Sequence, residues 1–271
     1  MTAAEAWRRQ VEAHHAQTEA AIAKAGQAPG DLWSGIAEGF RDDPRRFGDP
    51  VVEQISEWLT PQSTMLDVGG GAGRYALPLA LRCRAVMVVE PSEAMRDALR
   101  ESAKAARIKN LSVNSDKWED AEVGPADVVL CAHVVYGVTD IASFLRKLDA
   151  RATDAVAITV GTQAPLSRMS PLWEAARQEK RIDLPALSEL LPVLWEMDIF
   201  PDVRMIDAPR RLSAPNLEAG LQIARHFLYL KPGSSEDKRL LAAAPELLEE
   251  TPQGVTVRGF TLRQAIVYWR R

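Results

Sequence analysis

Thr64-Met65-Leu66-Asp67-Val68-Gly69-Gly70-Gly71-Ala72-Gly73-Arg74 is the stretch that decides the fold. Met65, Leu66 and Val68 read as a short buried strand, and Tyr75, Leu77, Leu79 and Leu81 follow the glycines in a segment suited to helix. A turn that brings its backbone against a ligand has no room for Cβ atoms and often needs positive φ. A helix after such a turn aims its unbonded N–H groups and positive dipole end at whatever is held there.

Spacing narrows the ligand. A dinucleotide fingerprint, G-x-G-x-x-G, would need a third glycine where Arg74 stands. The spacing present is Asp-x-Gly-x-Gly-x-Gly, from Asp67 through Gly69 and Gly71 to Gly73. Arg84-Ala85-Val86-Met87-Val88-Val89 reads as the next strand and delivers a second acid, Glu90, followed by Pro91-Ser92. A carboxylate at the carboxyl end of that strand is placed to accept hydrogen bonds from two ribose hydroxyls.

This glycine turn with an acid two residues ahead resembles motif I of the class I S-adenosylmethionine-dependent methyltransferases, and the resemblance runs over about residues 63 to 160. It implies an α/β fold: a doubly wound, mostly parallel seven-stranded sheet whose last strand lies antiparallel beside the fifth. It implies S-adenosylmethionine as cofactor, held by Asp67, Gly69, Gly71, Gly73, Glu90 and Pro91. By the same resemblance the loop Ser115-Asp116-Lys117-Trp118 meets the adenine, with Asp116 and Trp118 in the contacting positions and the register of Asp116 open by one or two residues.

Further strands are expected at Leu111-Ser112-Val113-Asn114, Asp127 to Cys131, Ala155 to Val160, Val203 to Ile206 and Arg263 to Trp269. Helices fit Ser92 to Ala106 and Ile141 to Leu148 between them. Residues 3 to 25 are expected to form an amphipathic helix through Trp7, Val11, His14 or His15, Thr18 and Ile22, broken at Gln27-Ala28-Pro29. Residues 1 to 60 read as an N-terminal helical cap on a methyltransferase domain of residues 61 to 271, with insertions near 161–183 and 208–260. The second insertion is expected to hold one helix capped by Asn216 and another from Glu236 to Glu250, interrupted by Pro245.

The fourth strand ends in Cys131-Ala132-His133-Val134-Val135-Tyr136. His133 leaves the sheet at the edge where a methyl group would lie and is the candidate general base, also counted among the cofactor contacts. Its other reading is a residue that packs or bonds to backbone beside the cofactor. Tyr136 is either a wall of the acceptor site or an ordinary core aromatic. His226 has the same two readings on a lid or in packing. Arg168, Arg45 and Arg46 are loop cations, suited to an acidic substrate or simply solvated. His14 and His15 point apart on a helix and have no acid or cysteine at metal spacing, so no metal site is expected.

Composition sets bounds. The 271 residues carry a formal charge of −4 with 46% hydrophobic and 26% charged residues, ordinary for a globular enzyme. An acidic balance argues against nucleic acid as partner. The Asn/Asp-Pro-Pro-Tyr ending of methyltransferases that grip planar amines is also absent from the fourth strand. Two cysteines, Cys83 and Cys131, give no disulfide framework. The opening residues lack a signal-peptide core, and nowhere do about 18 apolar residues run together. The expectation is a cytoplasmic enzyme methylating a small molecule, with its oligomeric state undetermined by the sequence. The rival readings are a non-catalytic S-adenosylmethionine-binding protein and a nicotinamide-dependent oxidoreductase.

Overall fold

Local sequence signals set most element ends. The computed structural model describes residues 1–26, 30–207, 214–252, 254–260 and 263–271. The expected break at 27–29 and part of the 208–260 insertion therefore lie outside the described residues. Helix α1 (Ala3–Ala25) starts in a capping box, Thr2 accepting from the Glu5 N–H while Glu5 accepts from the Thr2 N–H, and ends on left-handed Gly26. Helix α2 (Pro50–Ser56) is capped by Asp49 with proline in its first turn.

The chain then alternates β1 (Thr64–Val68), α3 (Ala76–Ala80), β2 (Ala85–Val89), α4 (Glu93–Ala106), β3 (Leu111–Asn114), β4 (Ala126–Ala132), α5 (Ile141–Arg151) and β5 (Ala152–Gly161). After these come α6 (Ser170–Arg177), α7 (Leu187–Glu196), β6 (Asp202–Asp207), α8 (Leu217–Leu228), α9 (Ser235–Leu247), β7 (Leu248–Thr251), β8 (Gly254–Val257) and β9 (Arg263–Arg270). Two of these differ from the sequence expectation. Helix α3 is only five residues long and starts at Ala76, because residues 69–75 form turns first. The helix placed at Glu236 to Glu250 stops at Leu247, and Leu248–Thr251 pairs antiparallel with Gly254–Val257 in a hairpin. Pro245 sits inside α9, two residues from its end, and does not break it in the middle.

Two compact units result. One comprises Met1–Pro29, Gly161–Pro192 and Asp207–Gln264; the other comprises Gly30–Val160, Val193–Ile206 and Ala265–Arg271. The second unit contains a seven-stranded sheet in the order β3-β2-β1-β4-β5-β9-β6, with β1 to β5 parallel and β9 antiparallel between β5 and β6. The central strands are buried on both faces, so they read as apolar runs rather than alternations. One face packs Met65, Val86, Val88, Val128 and Leu130 against Val52, Ile55, Leu77 and Leu99. The first unit has its own core, in which Leu172, Trp173 and Ala176 of α6 meet Leu228 of α8, Leu240 of α9 and Val255 of the hairpin. His14, not His15, lies on the buried stripe of α1, with Ala21 and Ala25.

Candidate functional site

Strand register brings the glycine turn and both acids to one edge of the sheet. Val68 pairs with Val89, the Gly69 N–H donates to the Val89 carbonyl at 2.7 Å, and the Glu90 N–H donates to the Asn114 carbonyl at 3.0 Å. Three of the glycines are needed sterically. Gly69 has φ +68°, and a Cβ there would stand 2.4 Å from Val134 Cγ2; at Gly70 it would stand 2.7 Å from Val88 Cγ1; Gly73 has φ +85°, and its Cβ would stand 2.3 Å from Leu99 Cδ1. At Gly71 the Cβ direction is open, with nothing nearer than Met95 Sδ at 3.9 Å. The turn thus presents Gly71 toward space and packs the other three.

Glu90 is pinned by that turn. Its Oε2 accepts the Gly71 N–H at 2.9 Å and its Oε1 accepts the Ser92 N–H at 2.8 Å. Burial pushes its pKa up, while these two N–H groups and Arg96 pull the other way. Arg96 also donates to the Glu90 and Pro91 carbonyls, which fixes the backbone on which Pro91 stands. Glu90, Pro91 and Ser92 form one wall of a cleft of about 750 Å³, and Gly30 to Ser34 form another. That volume falls in the roughly 300–1,000 Å³ range of small-molecule sites. Asp31 accepts from the Ser92 hydroxyl at 2.6 Å. The sequence carried no sign of this contact, because Asp31 sits in a non-periodic stretch next to a break.

Asp67 is 1% exposed, and among the described residues no well-formed hydrogen bond reaches either carboxylate oxygen, the Ala76 N–H approaching without completing one. Burial first, and the neighbouring Glu90 second, push its pKa up to about 7, with a small opposing effect from the Ala76 N–H. Arg74, which stands in place of a third fingerprint glycine, has a structural task. It pairs with Asp49 at 3.2 Å and stacks on Tyr75, while Arg46 pairs with Asp49 at 2.9 Å and donates to the Arg74 carbonyl. Burial alone would raise the Asp49 pKa, yet the bonds and charges of Arg46 and Arg74 hold it below the usual carboxylate range. Arg46 is thus committed to the fold, and Arg45 donates to the Ala106 carbonyl.

His133 adopts φ +59°, a left-handed conformation that few non-glycine residues take and that histidine tolerates better than most. Its N–H donates to the Thr159 carbonyl at 2.8 Å, and its Nδ1 lies 2.9 Å from the Tyr136 hydroxyl. The planes of the two rings are nearly parallel, at 14°. His133 and Tyr136 therefore form one unit beside Val134, the residue that Gly69 packs against. Asp116 is exposed and its N–H donates to Asn114 Oδ1. Trp118 is buried on α5: its indole N–H donates to the Phe144 carbonyl, and Lys147 lies 4.7 Å from the ring centre. His226, in the last turn of α8, meets Phe227 edge to face. Arg168 is 5% exposed in the first unit, so it is not a solvated loop cation. Among the described residues no cluster of three or more histidine, cysteine or acidic side chains is arranged to hold a metal, and no helix is long and apolar enough to cross a membrane.

A glycine cradle with one open position, a pinned carboxylate and a buried carboxyl lacking partners fit a nucleoside cofactor bearing positive charge. Comparison with known proteins agrees. Residues 66–151 match the family profile described as a methyltransferase domain. An uncharacterized protein of Haemophilus influenzae is 26% identical over 174 residues, covering 64% of this chain and 63% of that protein. A 23S rRNA (uracil(1939)-C(5))-methyltransferase of Marinomonas sp. is 42% identical over 64 residues, 23% of this chain and 14% of that one. Both matches thus span less than two thirds of the relative's own length. Among solved structures, the YcgJ protein of Bacillus subtilis superposes with a TM-score of 0.53 at 13% identity, covering 81% of this chain and 97% of that one, a likeness of fold. Residues 66–151 thus carry a methyltransferase domain, with the glycine turn and its two acids at one edge of a seven-stranded sheet ordered β3-β2-β1-β4-β5-β9-β6.

Proposed function

We propose that the chain transfers the methyl group of S-adenosylmethionine to a small-molecule acceptor by in-line displacement. The observation that carries this reading is Glu90, held by the Gly71 and Ser92 N–H groups at the mouth of the cleft. Each of its oxygens accepts one backbone bond and has capacity for another, which suits the two hydroxyls of a ribose. When bound, the cofactor supplies a methyl group on a positively charged sulfur. The chain's own part is alignment and exclusion of water.

Gly69, Gly71 and Gly73 shape the cradle, Asp67 offers buried negative charge, Pro91 borders the ribose, and Asp116 and Trp118 are assigned to the adenine side. Trp118 would act there through the loop it anchors on α5. His133 is assigned as general base. Proton acceptance goes to Nε2, the ring nitrogen that Tyr136 does not hold, and Tyr136 fixes the ring. A left-handed histidine at a strand end supports this role, since backbone strain of that kind persists where function demands it.

Acceptor choice is assigned to the cap of residues 1–60 and the insertions near 161–183 and 208–260, all of which lie outside the 66–151 match. A small acceptor is favoured over RNA by the net charge of −4. Two buried cysteines, both free, are consistent with a cytoplasmic setting.

Isothermal titration with S-adenosylmethionine and S-adenosylhomocysteine tests the cofactor assignment. Micromolar binding is expected, weakened at least about tenfold by Glu90→Ala, since two charge-assisted bonds are lost. A folded wild-type chain that binds neither compound overturns the proposal. Incubation with radiolabelled cofactor and a cell extract then separates acceptors: label is expected in low-molecular-weight material, and label confined to ribosomal RNA would overturn the small-molecule assignment.

A further inference from the structure

The first unit holds a second polar cluster, remote in sequence from the glycine turn. Trp173 of α6 is 2% exposed, and the guanidinium groups of Arg177 and Arg181 lie 4.5 and 4.0 Å from its ring centre. Among the described residues the indole N–H has no acceptor, and neither has the buried Nε–H of Arg177. Helix-end capping explains only part of this arrangement: Arg177 Nη2 donates to the Leu228 carbonyl at the end of α8.

Among the described residues no carboxylate forms an ion pair with either cation. His14 lies against Arg181, but burial first and the Arg181 charge second lower its pKa to about 4, so the imidazole is neutral. Its Nδ1–H donates to the Ile182 carbonyl at 2.6 Å, and its Nε2 accepts from Arg181 Nη2 at 2.7 Å. Glu179, Asp183 and Glu236 act on the two arginines only through space, as Tyr229 does on Arg181, and bond to other groups. Asp183 accepts from the Ser170 hydroxyl, Glu179 accepts from Gln17, and Glu236 pairs with Lys24 at 2.6 Å. Burial accordingly lowers the pKa of both guanidinium groups, Arg181 to about 10. Burying charge and donor groups without partners is costly, and the missing partner here is an acceptor carrying negative charge.

We propose that the first unit binds an oxyanion, a carboxylate or phosphate group of a small molecule, which accepts from Trp173 Nε1–H and Arg177 Nε–H and is neutralised by Arg177 and Arg181. The site is independent of methyl transfer, and its test needs no cofactor.

The full chain is titrated with inorganic phosphate and, separately, with acetate, at fixed ionic strength in chloride, by calorimetry and tryptophan fluorescence. Saturable binding of either anion is expected, with phosphate pointing to a phosphoester ligand and acetate to a carboxylate. Replacing Trp173 by its sulfur isostere benzothienylalanine keeps the fused ring and removes only the N–H; Arg177→Met removes the charge. Each should weaken binding at least about tenfold. Arg100→Met, an exposed cation of the sheet unit, should leave it unchanged. Should Arg177→Met not fold, Arg177→Lys keeps the charge and loses the Nε–H. No saturable binding of either anion by the wild type, or equal affinity in the Trp173 and Arg177 variants, overturns the proposal.

Discussion

Each unit buries polar atoms that its described residues do not satisfy, and one group in each stands out. The sheet unit, beside the Nε–H groups of Arg74, Arg96 and Arg151, buries a whole acceptor, the carboxyl of Asp67; the helical unit buries donors, the Trp173 indole N–H and the Arg177 Nε–H. The difference matters because a carboxyl can neutralise itself. Asp67, with its pKa pushed up to about 7, relieves its own burial by taking up a proton near neutral pH. A guanidinium and an indole have no such escape at that pH, so the helical unit keeps its charge and depends on an acceptor from outside.

The strongest way to break the contrast is to fill the cradle that makes the Asp67 edge a site. Gly73→Ala places a Cβ 2.3 Å from Leu99 Cδ1 and 2.8 Å from Leu77 Cγ at φ +85°. Overpacking and left-handed strain together are expected to cost about 2–5 kcal/mol in urea unfolding and to abolish cofactor binding. Asp67 itself gives the next effect. Its folded pKa of about 7 exceeds the 3.8 of a solvated aspartate, so the native state holds the extra proton. Its stabilising contribution is complete below pH 4 and is lost as pH rises through about 7. Asp67→Asn should therefore remove about 2–4 kcal/mol of the fall in stability between pH 4 and 8, read as a flatter slope of urea midpoint against pH. An unchanged slope would mean that the Asp67 oxygens are solvated after all.

A smaller loss, about 1–2 kcal/mol, is expected for Asp49→Ala, which removes the α2 cap and leaves Arg46 and Arg74 without their shared carboxylate. The smallest change sharpens the other side. In the absence of anion, replacing Trp173 by its sulfur isostere benzothienylalanine should alter stability by less than about 0.5 kcal/mol, because the shape is kept and the N–H it removes bonds to none of the described residues. A loss above about 1 kcal/mol would show that the indole N–H already has a partner.

Much of the sheet unit could be read from sequence because its information is local. The glycine spacing, the apolar runs of β1, β2 and β4, and the acid after β2 each sit within one short window, and register alone carries Glu90 to the glycine turn. What escaped reading is long-range or weakly patterned. Leu248-Glu249-Glu250-Thr251 follows a helix and is too short and polar to announce a strand, so the hairpin read as helix. Trp118 was legible as bulky but not as facing α5, since its partners Phe144 and Lys147 lie a strand and a helix away. Trp173 and Arg177 share a helix face four residues apart, yet Arg181 and His14 join them only through folding. Arg74 could be read only as a departure from a fingerprint; its bond to Asp49 supplies the reason for it.

The place of β9 between β5 and β6 sets a timetable for synthesis. While the chain emerges from the ribosome, β5 and β6 are both made before the strand that joins them, so each carries an unpaired edge until residues 263–270 appear. The sheet closes late, one strand in from its edge, and a nascent chain stalled within α8 or α9 would expose those edges to whatever strand it meets.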